Sequence, residues 1–76
     1  MSFERITTEP GKMGGQPCIR GLRIPVATLV AMVADGMSID EVAAALPDIE
    51  TADVAEALHY AAAVLQDRLV PLFDPA

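Results

Sequence analysis

Among the 76 residues, Cys18 is the only thiol and His59 the only imidazole. A nucleophile and its base could be built from that pair if the fold brought them within hydrogen-bond reach and a third group oriented the histidine. Their spacing does not require it. Cys18, next to Ile19, reads as a small apolar filler, and His59, one position beyond the apolar Leu58, as a boundary or interface residue. A single cysteine excludes an internal disulfide, and no Cys/His cluster offers a structural zinc site. The carboxylates are scattered, and none is paired with a clamp for a basic substrate. The expectation is a protein that is not an enzyme and uses no metal, cofactor or small-molecule substrate.

A different chemistry is suggested by "GGQPCIRGLRIPV", residues 14–26, which holds Arg20 and Arg23, three glycines, two prolines and no carboxylate. Glycines can cradle a phosphate, but the Walker pattern fails because Lys12 is not followed by Ser or Thr. Their spacing reads as turn chemistry. The cations Arg5, Lys12, Arg20 and Arg23 are the candidate DNA-binding residues, able to reach phosphates or a minor groove. Equally open is a structural use, in which Arg20 and Arg23 bond to carboxylates of the helical body or of a second protomer.

Charge divides sharply along the chain. Residues 1–23 carry four cations against two carboxylates, a net +2, whereas residues 24–76 carry Arg68 against nine carboxylates, a net −8. An acidic body on a basic arm suits one basic and one anionic partner, or a solvated surface that keeps a small protein soluble. The segment Met1 to Arg5 does not lead into an apolar leader. The most apolar window, 24–34, is broken by Pro25 and Thr28 and too short to span a bilayer. A cytoplasmic protein with a reduced thiol and no membrane contact is expected.

The elements that must position these residues follow from periodicity. Residues 1–25 form an arm of turns, with short extended pieces expected at Glu4–Thr7, Pro17–Ile19 and Leu22–Ile24. From Val26 the pattern becomes helical, with Val26, Leu29, Val30 and Val33 on one stripe. Pro25 suits the first turn, and Gly36 a C-terminal stop. "SIDE" at 38–41 spells a capping box for a second helix, which Pro47 ends. Thr51 is the expected N-cap of a third helix, whose first turns hold Asp53 and Glu56. Its apolar face runs through Val54, Ala57, Leu58, Ala61, Val64 and Leu65 to about Leu69. The predicted fold is mainly α, with a trihelical, helix-turn-helix body at 26–70, an arm at 1–25 and a tail at 71–76.

A recognition helix needs Arg, Lys, Asn or Gln at its N-terminus. Asp48, Glu50, Asp53 and Glu56 occupy that end of the third helix, so major-groove reading by it is disfavoured. Association is better provided for. At this length a partner subunit is a common source of stability, and a homodimer is expected. Ala57, Ala61, Ala62 and Ala63 would let two helices approach closely. Tyr60, with Leu69, Leu72 and Phe73 of the tail, completes the candidate partner-binding set.

The stretch "GGQPCIRGLRIPVATLVAMVADGMSIDEVAAALPDIETADVAEALHYAA" resembles the bacterial family known as domain of unknown function 433. The arm motif is carried by Gly15, Pro17, Ile19, Gly21, Arg23, Ile24 and Val26, and the helical motifs by Gly36, Ser38, Glu41, Val42, Pro47, Ile49, Val54, Ala57, Leu58 and Tyr60. Gln16 stands where a basic residue is usual, and Leu22 where Thr is commoner. The resemblance spans residues 4–65 and implies a homeodomain-like fold. It also implies an antitoxin of the VapB type, which neutralises a PIN-like ribonuclease toxin and represses its own operon. The alternative is a stand-alone DNA-binding transcriptional regulator acting through the basic arm.

Overall fold

A computed structural model describes residues 3–67; the tail positions Leu69, Leu72 and Phe73, and the helix end expected at about Leu69, lie outside them. The chain runs β1 (Ile6–Thr7), a 3-10 turn (Met13–Gly15), β2 (Cys18–Ile19), α1 (Val26–Ala34), α2 (Ile39–Ala45) and α3 (Thr51–Asp67). The mainly α, trihelical body with an arm of short β pieces is the expected architecture. The strands pair antiparallel, Ile6 opposite Ile19 and Thr7 opposite Cys18. The third expected extended piece, Leu22–Ile24, is a bend instead. It returns through a bond from the Ile19 amide to the Ile24 carbonyl at 3.0 Å and a bridge between Cys18 and Pro25.

Between β2 and that bend the chain reverses through Arg20 and Gly21. Both are left-handed, at φ 43° and 72°, and the Leu22 amide donates to the Ile19 carbonyl at 2.7 Å. Two positive φ values closed by this bond make a type I′ turn. Glycine adopts the second position freely, whereas an arginine at the first is uncommon and costs energy.

The arm also starts the body. The Val26 amide, first in α1 and without an intrahelical partner, donates to the Pro17 carbonyl at 2.9 Å. Pro25 stands immediately before the helix, where its lack of an N–H is harmless. α1 ends in a Schellman motif around Gly36 (φ 104°), with Gly36 N–H bonded to Val33 O at 2.9 Å and Met37 N–H to Met32 O at 3.2 Å. A Cβ on Gly36 would meet nothing within 4 Å, so substitution strains only the backbone. Gly36→Ala is therefore expected to cost about 1 kcal/mol, a fall of about 4–8 °C in melting temperature by circular dichroism.

α2 begins on the expected capping box. Ser38 Oγ accepts from the Glu41 amide at 3.1 Å, and Glu41 Oε1 from the Ser38 amide at 2.9 Å. The bond from the Ser38 backbone amide foremost, and the Ser38 hydroxyl beside the carboxylate, lower the Glu41 pKa.

The start of α3 departs from expectation, because Thr51 is already helical and Glu50 precedes the helix. The orphan Glu50 amide is taken by the Asp53 carboxylate at 2.8 Å, the reach-back half of a capping box, so no Thr51 cap is needed. Ile19, Val26, Leu29, Val42, Ile49, Val54 and Ala57 form the core where α3 crosses α1 and α2. Ala57 is thus inside the body and not on an association face.

Candidate functional site

The cations of the arm meet the carboxylates of α3. Asp53 has no exposed surface, yet four donors converge on it. Oδ1 accepts from Arg20 Nε and Arg5 Nη1, both at 3.0 Å. Oδ2 accepts from Arg20 Nη2 at 2.9 Å and the Glu50 amide at 2.8 Å. Burial pushes this carboxyl up, but the bonds from Arg20, the Glu50 backbone and Arg5 outweigh it and hold the pKa at about 2. Arg20 approaches fork to fork, the strong geometry for a guanidinium on a carboxylate. Its left-handed backbone belongs to the turn that brings it there.

The same junction is reinforced on both sides. Arg5 Nη1 pairs with Glu50 Oε1 at 2.7 Å, and the Arg5 amide donates to Glu56 Oε2 at 2.6 Å. Arg20 Nη2 also donates to the Asp48 carbonyl at 2.6 Å. The Arg5 pKa is raised chiefly by the bond to Glu50 and then by that to Asp53, and the Arg20 pKa by the bond to Asp53. The acidic entrance to α3, which argued against a recognition helix, is the anchor of the chain's own arm.

The four candidate DNA-binding residues therefore separate. Arg5 and Arg20 clamp Asp53. Lys12 pairs with Glu9 at 2.7 Å and donates to the Gly21 carbonyl, so it ties down the turn. Arg23 is exposed, and among the described residues it has no ion pair or side-chain hydrogen bond. Arg20→Ala is expected to lower the melting temperature, because the buried carboxylate loses its two fork bonds, whereas Arg23→Ala leaves it unchanged. An equal fall in both variants would contradict this division.

Cys18 is buried, its Sγ 3.4 Å from the Gln16 carbonyl, while His59 is exposed on α3 and no hydrogen bond joins the two. No group of three or more His, Cys, Asp or Glu among the described residues is placed to hold a metal ion. No helix among them is long and apolar enough to cross a membrane.

Tyr60 is half-buried and meets Phe3 edge to face, the ring centroids 5.2 Å apart at 85°. It also lines a groove of about 440 Å³ between α1 and α3. One wall is Val26, Ala27, Val30 and Ala31; the other is Tyr60, Ala61, Val64 and Leu65, with Gln16 and Pro17 at one end. Leu65 is 65% exposed. Of the alanines expected on an association face, Ala61 lines this groove, Ala62 is exposed and Ala63 half-buried. The α1 wall was missed in the sequence, although α1 is apolar almost all round, a sign that more than one of its faces is covered.

Comparisons with known proteins are consistent with one another. Residues 6–61 match the family described as protein of unknown function (DUF433). The uncharacterized protein y4eO of Sinorhizobium fredii is 37% identical over 60 residues, covering 79% of this chain and 27% of that protein. The crystal structure of a DUF433 member from Anabaena variabilis superposes with a TM-score of 0.75 at 38% identity, covering 83% of this chain and 62% of that one. The chain thus spans about a quarter of the y4eO relative and under two thirds of the Anabaena protein.

Proposed function

This chain belongs to the DUF433 family, and on that premise we propose that it is a non-catalytic binding module of the antitoxin type, engaging a protein partner through its helical body. The observation that carries the reading is the way the arm's charge is spent. Arg5 and Arg20 are committed to Asp53 and Glu50, while among the described residues nothing fills the apolar groove on the body. A cation held fork to fork on a buried carboxylate is a poor phosphate ligand, since leaving it would strand that charge. The PIN-like ribonuclease toxin is the partner the family resemblance implies. Co-expression with the adjacent reading frame tests it: that product should arrest growth alone, be relieved by this chain and co-purify with it. A product that is harmless alone and absent from the purified protein would sink the antitoxin reading.

Autorepression, or a stand-alone regulator acting through the arm, is a second reading supported by the exposed Arg23. Each phosphate neutralised contributes about −0.9 to the log–log salt slope. On this reading, titrating the operator region at two salt concentrations gives a slope that Arg23→Ala reduces by about 0.9. An unchanged slope removes Arg23 from any DNA contact.

A further inference from the structure

We propose that the groove between α1 and α3 receives an amphipathic helix of another protein whose solvent-facing flanks carry lysine or arginine. This rests on the protein-binding reading above and adds the chemistry of the partner. The walls offer rows at i, i+4 spacing, Ala27–Ala31 on α1 and Ala61–Leu65 on α3, the ridges that a third helix packs between. Alanines on both walls permit close approach, and Leu65 is an exposed apolar lip. Volumes of about 300–1,000 Å³ are typical of ligand pockets, and the apolar stripe of an entering helix fills such a space through its i, i+3, i+4 anchors.

Charge complementarity selects the occupant. Asp35 follows Ala31 by four positions and Asp67 follows Val64 by three, and both are exposed, so the helix behind each wall carries a carboxylate toward its C-terminal end. Residues 24–76 carry nine carboxylates against Arg68 alone, and Arg5 and Arg20 of the arm offset only Asp53 and Glu50 at the entrance to α3, so the body keeps an acidic excess. A second copy would bring the same acidic flanks and a net charge of −6 against −6. Like charges across an interface disfavour it, whereas a basic helix is steered in.

The chain carries its own reporter, because Tyr60 is its only tyrosine and it has no tryptophan. The full chain is titrated in about 0.15 M salt, where the Debye length is about 8 Å, with three 14-residue peptides free of aromatic residues. One has a Leu/Ala stripe and Lys flanks, the second has Glu for Lys, and the third has the Lys composition with the stripe scrambled. The striped Lys peptide should shift Tyr60 emission and bind about tenfold more tightly than either control. The exposed-site variant Ala31→Arg, verified as folded by circular dichroism, should abolish the shift.

Equal binding of the Glu or scrambled peptide, no shift with any peptide, or an unaffected Ala31→Arg overturns the proposal. So does a dimer that Ala31→Arg dissociates in sedimentation equilibrium, which would seat a second copy in the groove. A shift seen only after removal of residues 68–76 would assign the groove to the chain's own tail and equally overturn it. Peptide binding without a co-purifying neighbour refutes the antitoxin reading alone; a co-purifying neighbour without peptide binding refutes the groove alone.

Discussion

Asp53→Ala is expected to lower stability by about 3 kcal/mol, on the order of 15 °C in melting temperature, the loss typical of breaking a buried charge pair. For a chain of this size that is a large share of the total, about 4–11 kcal/mol at typical values per residue. The reason is convergence: one carboxylate joins arm to body, starts α3 through the Glu50 amide and accepts from two guanidiniums. Acid should reproduce part of the loss. The folded carboxyl titrates at about 2 against an ordinary 3.8. A depressed carboxyl contributes its stability above the unfolded value and loses it as pH falls through the folded one. Melting temperature should therefore hold from pH 7 to about 5 and drop between about 4 and 2, with about 2 kcal/mol at stake. Asp53→Ala should show a shallower fall over that window. A variant melting within error of the parent would show that the junction does not hold the arm.

Leu29→Ala is the second large effect, expected at about 2–5 kcal/mol by urea unfolding. Leu29 is fully buried where α1 meets α3, so truncation removes apolar burial and leaves a cavity that the neighbouring helices only partly close. Two positions later on the same helix, Ala31 is exposed on the groove side. Ala31→Arg should stay within about 0.5 kcal/mol, since arginine is a good helix former and displaces nothing from the core. A loss of similar size in both variants would mean that the groove wall is part of the core.

Local chemistry was the most legible. The Gly36 stop and the Ser38–Glu41 box are written in adjacent residues, because their bonds close within one helical turn. The expected Thr51 cap does not form, for the opposite reason. The residue that caps α3 is Asp53, oriented by Arg20 and Arg5 from 33 and 48 positions away. The spacing of Glu50 and Asp53 held a weak sign of it, but without a hydroxyl at the first position the box is half written. Ala57 shows the same limit, since alanine at helical spacing suits a core and an interface alike.

Three helices, a turn-rich arm and a basic-to-acidic division of charge were determined by the sequence alone, because periodicity, caps and charge are properties of neighbouring residues. Only the tertiary structure decided what those charges do. Arg5 and Arg20 are spent within the molecule because β1 and the turn after β2 place them at the entrance to α3, where a desolvated carboxylate gains more from two guanidiniums than from water. The same crossing of α1 and α3 buries Leu29 and leaves Ala31 at the groove, a distinction that depends on which helix arrives opposite.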